Sequence, residues 1–400
     1  MHDGDDEATA PYGAANRTEG NTPTDPRGLP RDVSGNGGSA LRPALDGSNV
    51  GPKSPGGADQ NCGALPRGWE RPSWGGSSNG GPQREARRSE DSNGPSFDRP
   101  IEAGGYQWHY VDGVSDDGHV AIVIIALIGN PFSPSYLRAR ERGLGEPHAF
   151  SALNVALYAR GASIWSLTER VIRTADRAAS SLSIGQSAMR WEGDRLVVDV
   201  DERSAPLGRA VKGRVTLHPE APTKATLSLA SAGDHRWWPI APLARIEVDF
   251  GAPGVRFKGH GYCDANAGSS PLHTAFETWN WSRTRTPDGA VITYDLVDAA
   301  ATKSTHAFRI SRRGEIDPLD ATWERPLDRT LWRLQPSARV DKGHDVRRIR
   351  SLEDGPFYAR SLVETRLAGH SVVAVHESLA AHRLRAPWVR ALSKLRMRRA

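Results

Sequence analysis

The sequence predicts an all-β protein, built of antiparallel sandwiches or barrels behind a disordered N-terminal extension. Three observations predict it. Apolar residues alternate, or form short β-branched runs, in "LVVDVDE" (196–202), "RIEVDF" (245–250), "AVITYDLVDA" (290–299), "HAFRIS" (306–311) and "SVVAVHESLA" (371–380). Sustained helical periodicity is scarce, and nothing reads as strand–helix–strand alternation. A disproportionate share of the 41 Gly and 28 Pro lies before Phe97, among Ser, Asp, Asn and Arg.

Taken in order, residues 1–97 carry too few apolar side chains (Leu29, Val33 and Trp74 among them) to offset the entropy of ordering, and read as disordered. From Phe97 the character changes. "YQWHYVDGVSDDGHVAIVIIALIGNPF" (106–132) is globular, and its longest apolar run, Val120 to Ile128, is far short of the roughly 20 residues a membrane-crossing helix needs. It reads as a buried strand. Short helices are expected over Ser135–Arg142, between Pro134 and Gly143, and over Pro271–Trp279. About 300 residues suit two domains, expected at 98–243 and 244–382. A basic tail, 383–400, follows.

Composition narrows the function. The N-terminus "MHDGDDEATA" is acidic with no apolar core, so it is no secretory signal. Two cysteines, Cys62 and Cys263, make neither a disulfide framework nor a thiolate metal site, and a reducing, cytoplasmic location is expected. The net charge of +5 and pI near 9.3 are not gathered into a patch within the core, so nucleic acid is not the expected partner. The tail does gather charge. It carries Arg383, Arg385, Arg390, Lys394, Arg396, Arg398 and Arg399, with Trp388, Leu392 and Leu395 on one helical face. Such a helix suits an anionic membrane surface. Equally, it suits docking on its own domain with a solvated cationic face.

Familiar catalytic motifs fail. "HESLAAH" (376–382) spaces its histidines six apart within a strand pattern, unlike the HExxH of zinc proteases. "GQSAM" (185–189) lacks the second glycine of a nucleophile elbow. No P-loop and no GxGxxG occurs, so no metal, nucleotide or other cofactor is expected. Two stretches remain. In "GVRFKGHGYCDANAG" (254–268) strand alternation sets Tyr262 beside Asp264 on one face and Cys263 on the other; in "DHRWW" (234–238) it sets His235 beside Trp237. An acid, a phenol, an imidazole and an indole could form a proton-transfer site with an aromatic wall. The alternative reading, which spacing alone favours, is packing residues and a turn cap.

The ordered series "GGYQWHYVDGVSDDG" (104–118), "ALNVALY" (152–158), "HRWWPIAP" (235–242), "GYCDANAG" (261–268), "FETWNWSR" (276–283) and "VHESLAAHRLRAPWVRALSKLRMRR" (375–399) resembles the carotenoid 1,2-hydratase (hydroxyneurosporene synthase) family. The resemblance covers residues 98–400. It departs at His109, Cys263 and Ala267, where the family favours aromatic residues and where side-chain size bears on pocket width. The first 97 residues look foreign to the family pattern.

The resemblance implies two lipocalin-like antiparallel β-barrel or sandwich domains. It also implies cofactor-independent addition of water across the terminal C1=C2 double bond of acyclic carotenes such as neurosporene or lycopene, giving tertiary alcohols. Its implicated residues fall on His235, Trp237, Tyr262 and Asp264. Such chemistry needs a neutral acid to protonate C2, a role for Asp264 in an apolar pocket. The C1 cation would face Trp237, a contact worth about 2 kcal/mol when desolvated. His235 would deprotonate the incoming water, and Tyr262 would bond to the carboxyl or the water. Trp108, Tyr110, Trp238, Trp279 and Trp281, in the same motifs, are the implied substrate-binding residues. The implied partners are the carotene, water and, peripherally, the cytoplasmic face of the inner membrane. The same superfamily holds polyene cyclases and lipid carriers, which stand as alternatives.

Overall fold

The computed structural model describes residues 69–70, 94–159, 162–230 and 234–399. Most of the expected disordered extension, with Trp74 and Cys62, lies outside the described residues. Two described pieces of it depart from the expectation. Trp69–Glu70 is a short strand paired with Leu227 and Thr226, and Phe97 is buried in the core.

Ten principal strands precede residue 269: β1 (Tyr106–Ser115), β2 (Ala121–Ile128), β3 (Ser151–Ala159), β4 (Ala162–Arg170), β5 (Ser181–Ile184), β6 (Ser187–Glu192), β7 (Arg195–Arg203), β8 (Ala210–Pro219), β9 (His235–Ala252) and β10 (Val255–Gly268). They form one antiparallel sheet in the order β4-β3-β2-β1-β10-β9-β8-β7-β6-β5, with shorter strands at its margins. The sheet curls until its arms meet: the Ala205 N–H donates to the Trp165 carbonyl at 2.8 Å, and Ser166 Oγ to the Arg203 carbonyl at 2.9 Å. Inside the curl, Ile122, Ile124, Leu153, Val198, Val215, Ile246 and Phe250 pack as an apolar core. Six later strands, β11 (Phe276–Thr286), β12 (Gly289–Asp298), β13 (Lys303–Ser311), β14 (Arg347–Asp354), β15 (Tyr358–Leu367) and β16 (His370–Leu379), form a second sheet in the order β13-β12-β11-β16-β15-β14. Its inner face packs against the outer face of the first sheet, and an aromatic-rich layer fills the space between.

The fold is all-β as the periodicity predicts. The expected division between residues 243 and 244, however, falls inside β9. The chain changes sheets at residues 269–275 instead. β9 runs through Pro239 and Pro242, which fall at two register shifts against β10, one between Trp238 and Ala241 and one between Ala241 and Ala244. Tyr262 and Asp264 therefore belong to the first sheet.

Helices are few. α1 (Pro134–Glu141) begins with Pro134 in its first turn, and the Ser133 hydroxyl accepts the Tyr136 N–H at 3.1 Å, an ordinary N-cap. The helix expected from Pro271 to Trp279 is only Leu272–Ala275, because "FETWNWSR" continues as β11. In the tail, α2 (Pro387–Arg396) inserts Val389 into the protein. Five of the tail's seven cations have partners within the protein. Arg383 donates to the carbonyls of Trp332 and Pro356, Arg385 bonds to the His273 carbonyl, Arg390 to Glu141, and Arg396 to Glu353. Arg399 lies 3.9 Å from Glu169. The docked reading of the tail holds for these five.

Candidate active site

Strand alternation directs Trp108 and Tyr110 from β1, His235 and Trp237 from β9, and Tyr262 and Asp264 from β10 toward the second sheet. There they meet Trp279 and Trp281 of β11 and Tyr294 of β12. Three of the expected residues form one unit. Trp237 Nε1–H and the Tyr262 hydroxyl both donate to Asp264 Oδ2, each at 2.8 Å. Asp264 Oδ1 is buried and has no protein partner. Both neutral donors favour the ionised form, but loss of solvent outweighs them and pushes the Asp264 carboxyl up to about 8. The group is thus a neutral acid at pH 7, with its two protein bonds on one oxygen and the other oxygen left to carry the proton.

His235 is held elsewhere. Its Nδ1 lies 2.8 Å from the Tyr106 hydroxyl and its Nε2 2.9 Å from Ser270 Oγ, which in turn donates to Asp234. Neither ring nitrogen is directed at Asp264, so the water-deprotonating role expected of His235 has no geometry here. Burial lowers its pKa to about 4 and keeps the ring neutral. Gly268, opposite it, leaves the room: a Cβ there would lie 2.5 Å from His235 Nδ1 and 2.6 Å from Tyr106.

An apolar cavity of about 540 Å³ opens beside this unit, within the rough range of small-molecule sites. Trp108, Tyr110 and Trp279 line it, with Val123, Leu127 and Phe357 among the rest. The carboxyl lies one aromatic layer behind its wall. Tyr110 packs edge-on against Tyr262 at 6.0 Å, and Trp279 against Tyr294 at 5.9 Å, which packs against Trp237 at 5.6 Å. Trp281 packs tilted against Tyr262 and edge-on against Tyr110 from the second sheet, and its buried Nε1 has no protein partner. Trp238 is not part of the site. It faces the opposite side of β9, under the Arg99 guanidinium and against the core inside the curl.

The comparisons with known proteins can be set beside this geometry. The family model "Carotenoid hydratase CrtC" matches residues 124–400. The chain belongs to this family. Two acyclic carotenoid 1,2-hydratases resemble it closely: that of Thiocapsa roseopersicina is 41% identical (90% of this chain, 92% of that one), and that of Rubrivivax gelatinosus 39% identical (89% and 88%). A third, from Cereibacter sphaeroides, is 36% identical over 69% of this chain and 98% of its own. Among solved structures, kievitone hydratase from Nectria haematococca is similar at a TM-score of 0.46 and 12% identity (71% of this chain, 91% of that one). Matches covering about nine tenths of the chain reach into the first 97 residues. Part of the extension is therefore shared within the carotenoid hydratase family rather than foreign to it.

The departures from the family pattern do not touch the cavity. Cys263 is buried inside the curl, Ala267 lies on that same face by alternation, and His109 faces away from Trp108 and Tyr110 toward Phe97 and Gln107. Three aromatic-to-smaller changes therefore alter packing behind the sheet, not pocket width.

Sequence reasoning missed a second cluster. Glu377 of β16 lines the cavity, ion-paired with Arg360 and 2.8 Å from the Tyr110 hydroxyl; that hydroxyl is also 2.8 Å from Asp112, which pairs with Arg283. The signal for Glu377 was available. "VHESL" alternates so that Glu377 shares the apolar face of Val375 and Leu379, an unusual place for a carboxylate. The same strand carries His376 on the other face, where it bonds to Ser282, while His382 bonds to the Glu277 carbonyl; no metal-holding cluster occurs among the described residues. Ser187 of "GQSAM" donates to buried Glu202 at 3.0 Å and is structural.

Proposed function

We propose that the protein is an acyclic carotenoid 1,2-hydratase, adding water to the terminal C1=C2 double bond of a substrate such as neurosporene or lycopene. One observation carries the reading. A buried carboxyl group, neutral at pH 7 and fixed through a single oxygen by Trp237 and Tyr262, stands behind an apolar, aromatic-lined cavity. Protonating an isolated alkene calls for such an acid.

Asp264 Oδ1–H donates its proton to C2, the π electrons form the new C–H bond, and a tertiary cation remains at C1. Trp108, Tyr110 and Trp279 present aromatic faces to that cation, each contact worth about 2 kcal/mol when desolvated. Water attacks C1, and the Asp264 carboxylate recovers a proton from it. The cycle closes without a redox cofactor. Trp237 and Tyr262 act by fixing the carboxyl, while the Tyr106–His235–Ser270 chain ties the starts of β1 and β9 to the segment that follows β10. Because an aromatic layer separates cavity and acid, the substrate end reaches Asp264 only as Tyr110 or Trp279 turns aside.

Glu377 is the competing acid, since it lines the cavity directly and burial raises its pKa. Its partner decides against it. Arg360 favours the charged carboxylate, whereas Asp264 has only neutral partners. The substrate dissolves in bilayers, so the protein is placed as a peripheral protein at the cytoplasmic face of the inner membrane; among the described residues no helix is long and apolar enough to cross.

Expression in a lycopene-producing bacterium, with mass analysis of the pigments, tests the reading. Pigments gaining one or two waters with the wild type, and none with Asp264→Asn, are expected. Unchanged lycopene alongside folded wild-type protein would favour a carotenoid carrier, and a mass-neutral new pigment a cyclase.

A further inference from the structure

The cavity mouth exposes what soluble proteins usually hide. Leu331 is 93% exposed, Leu395 73%, Trp388 48% and Trp332 39%. They form one surface. The rings of Trp332 and Trp388 are stacked, 6.1 Å apart with planes 13° from parallel, and Trp332 and Leu395 also line the cavity. Apolar surface thus runs unbroken from solvent into the interior.

This exposure is held in place. The turn bearing Leu331 and Trp332 is closed by Arg333 N–H to the Thr330 carbonyl at 2.9 Å and anchored by buried Leu334. The Leu331 N–H donates to Asp354 at 2.7 Å, and Arg383 grips the carbonyls of Trp332, Arg333 and Pro356. α2, bearing Trp388 and Leu395, is fixed beside it by Val389 and the Arg390–Glu141 pair. Holding two leucines and two tryptophans in water on a rigid frame opposes the hydrophobic effect, unless another apolar phase covers them. Arg329 and Arg333 flank Leu331 and Trp332 in the chain and Lys394 precedes Leu395, all three exposed; Asp328 is exposed as well, while the cavity-lining acids Glu353 and Asp354 are taken up by Arg396 and the Leu331 N–H. Aromatic residues flanked by cations match the interface of an anionic bilayer.

We propose that the turn Thr330–Leu334 and the outer face of α2 dock the cavity mouth onto an anionic phospholipid surface, so that an acyclic carotene passes from the bilayer into the cavity without crossing water. The inference rests on the hydratase reading for its substrate but not for its docking. It also relocates membrane contact from the tail's cations, largely occupied within the protein, to the apolar rim.

The test uses the full chain and the double variant Leu331→Glu/Trp388→Glu, two exposed side chains that do not line the cavity. Co-sedimentation is measured with phosphatidylglycerol-containing vesicles free of carotene, and turnover with lycopene presented either in those vesicles or in detergent. Wild type is expected to sediment with the vesicles. The variant should bind at least about tenfold more weakly, turn over vesicle lycopene correspondingly more slowly, and match wild type in detergent. A Leu331→Cys protein carrying an environment-sensitive fluorophore should show a blue shift on adding vesicles. Equal binding by wild type and double variant, or an unshifted label, would overturn the proposal. A wild-type dimer that dissociates in the variant, without vesicle binding by either, would overturn it too by assigning the face to a second copy. Loss of turnover in detergent by the wild type would strike the hydratase reading alone, since vesicle binding is read without substrate.

Discussion

Asp264 and Asp112 are buried carboxyl groups on the neighbouring strands β10 and β1, each within hydrogen-bond reach of a tyrosine hydroxyl, and their surroundings differ in one respect. Asp112 is paired with the Arg283 guanidinium, as Glu377 is with Arg360. Asp264 has an indole N–H and a phenol. Asp112 and Asp264 are buried and Glu377 nearly so, and partner charge is what distinguishes the two ion-paired carboxylates from the proposed proton donor. The Asp112–Arg283 pair ties the two sheets together, whereas the Arg360–Glu377 pair joins neighbouring strands of the second sheet.

The largest effect that would break the comparison is on catalysis. Asp264→Asn should lower turnover about 10²- to 10⁴-fold, the usual weight of a general acid, while carotene binding survives. Its stability should change little, because the amide oxygen still accepts from Trp237 and Tyr262. Arg283→Met should do the reverse. Leaving Asp112 buried without its cation costs about 3–5 kcal/mol, readable in chemical denaturation. Equal destabilisation by the two variants would mean that Asp264 is also held as a charge.

Much of this was legible in the sequence. Period-two patterning yields the strands, and the i, i+2 rule by itself pairs Tyr262 with Asp264. The same rule, carried one residue further, places Trp238, Cys263 and His109 on the reverse faces, a consequence the family pattern obscured. Other features are not local. Tyr294, Arg283 and Arg360 reach the site across the gap between sheets, and only register and sheet packing bring them there. His235 shares a face with Trp237, but its hydrogen-bond partners Tyr106 and Ser270 come from distant positions and turn its nitrogens away. The boundary expected between residues 243 and 244 falls inside β9, because the bulges that carry Pro239 and Pro242 through a long strand leave no mark in the alternation.

The smallest effect concerns the extension. Removing residues 1–60 should leave melting temperature and turnover unchanged, consistent with a 36% identical relative whose length is almost fully covered by 69% of this chain. Removing residues 1–93 should lower the melting temperature, since Trp69–Glu70 pairs with the strand that flanks Trp237. Equal melting of both truncations would show that this pairing contributes nothing.

The neutral acid is tested most directly by the pH dependence of kcat on detergent-solubilised lycopene, for wild type and Tyr262→Phe. Asp264 must be protonated to act, so turnover should hold at neutral pH and fall tenfold per unit above the wild-type value of about 8. The Tyr262 hydrogen bond favours the carboxylate, so its loss should move the falling limb to higher pH, with turnover reduced about tenfold at the plateau. A rate that rises with pH through this range, or a limb that does not move in Tyr262→Phe, would contradict Asp264 as the proton donor.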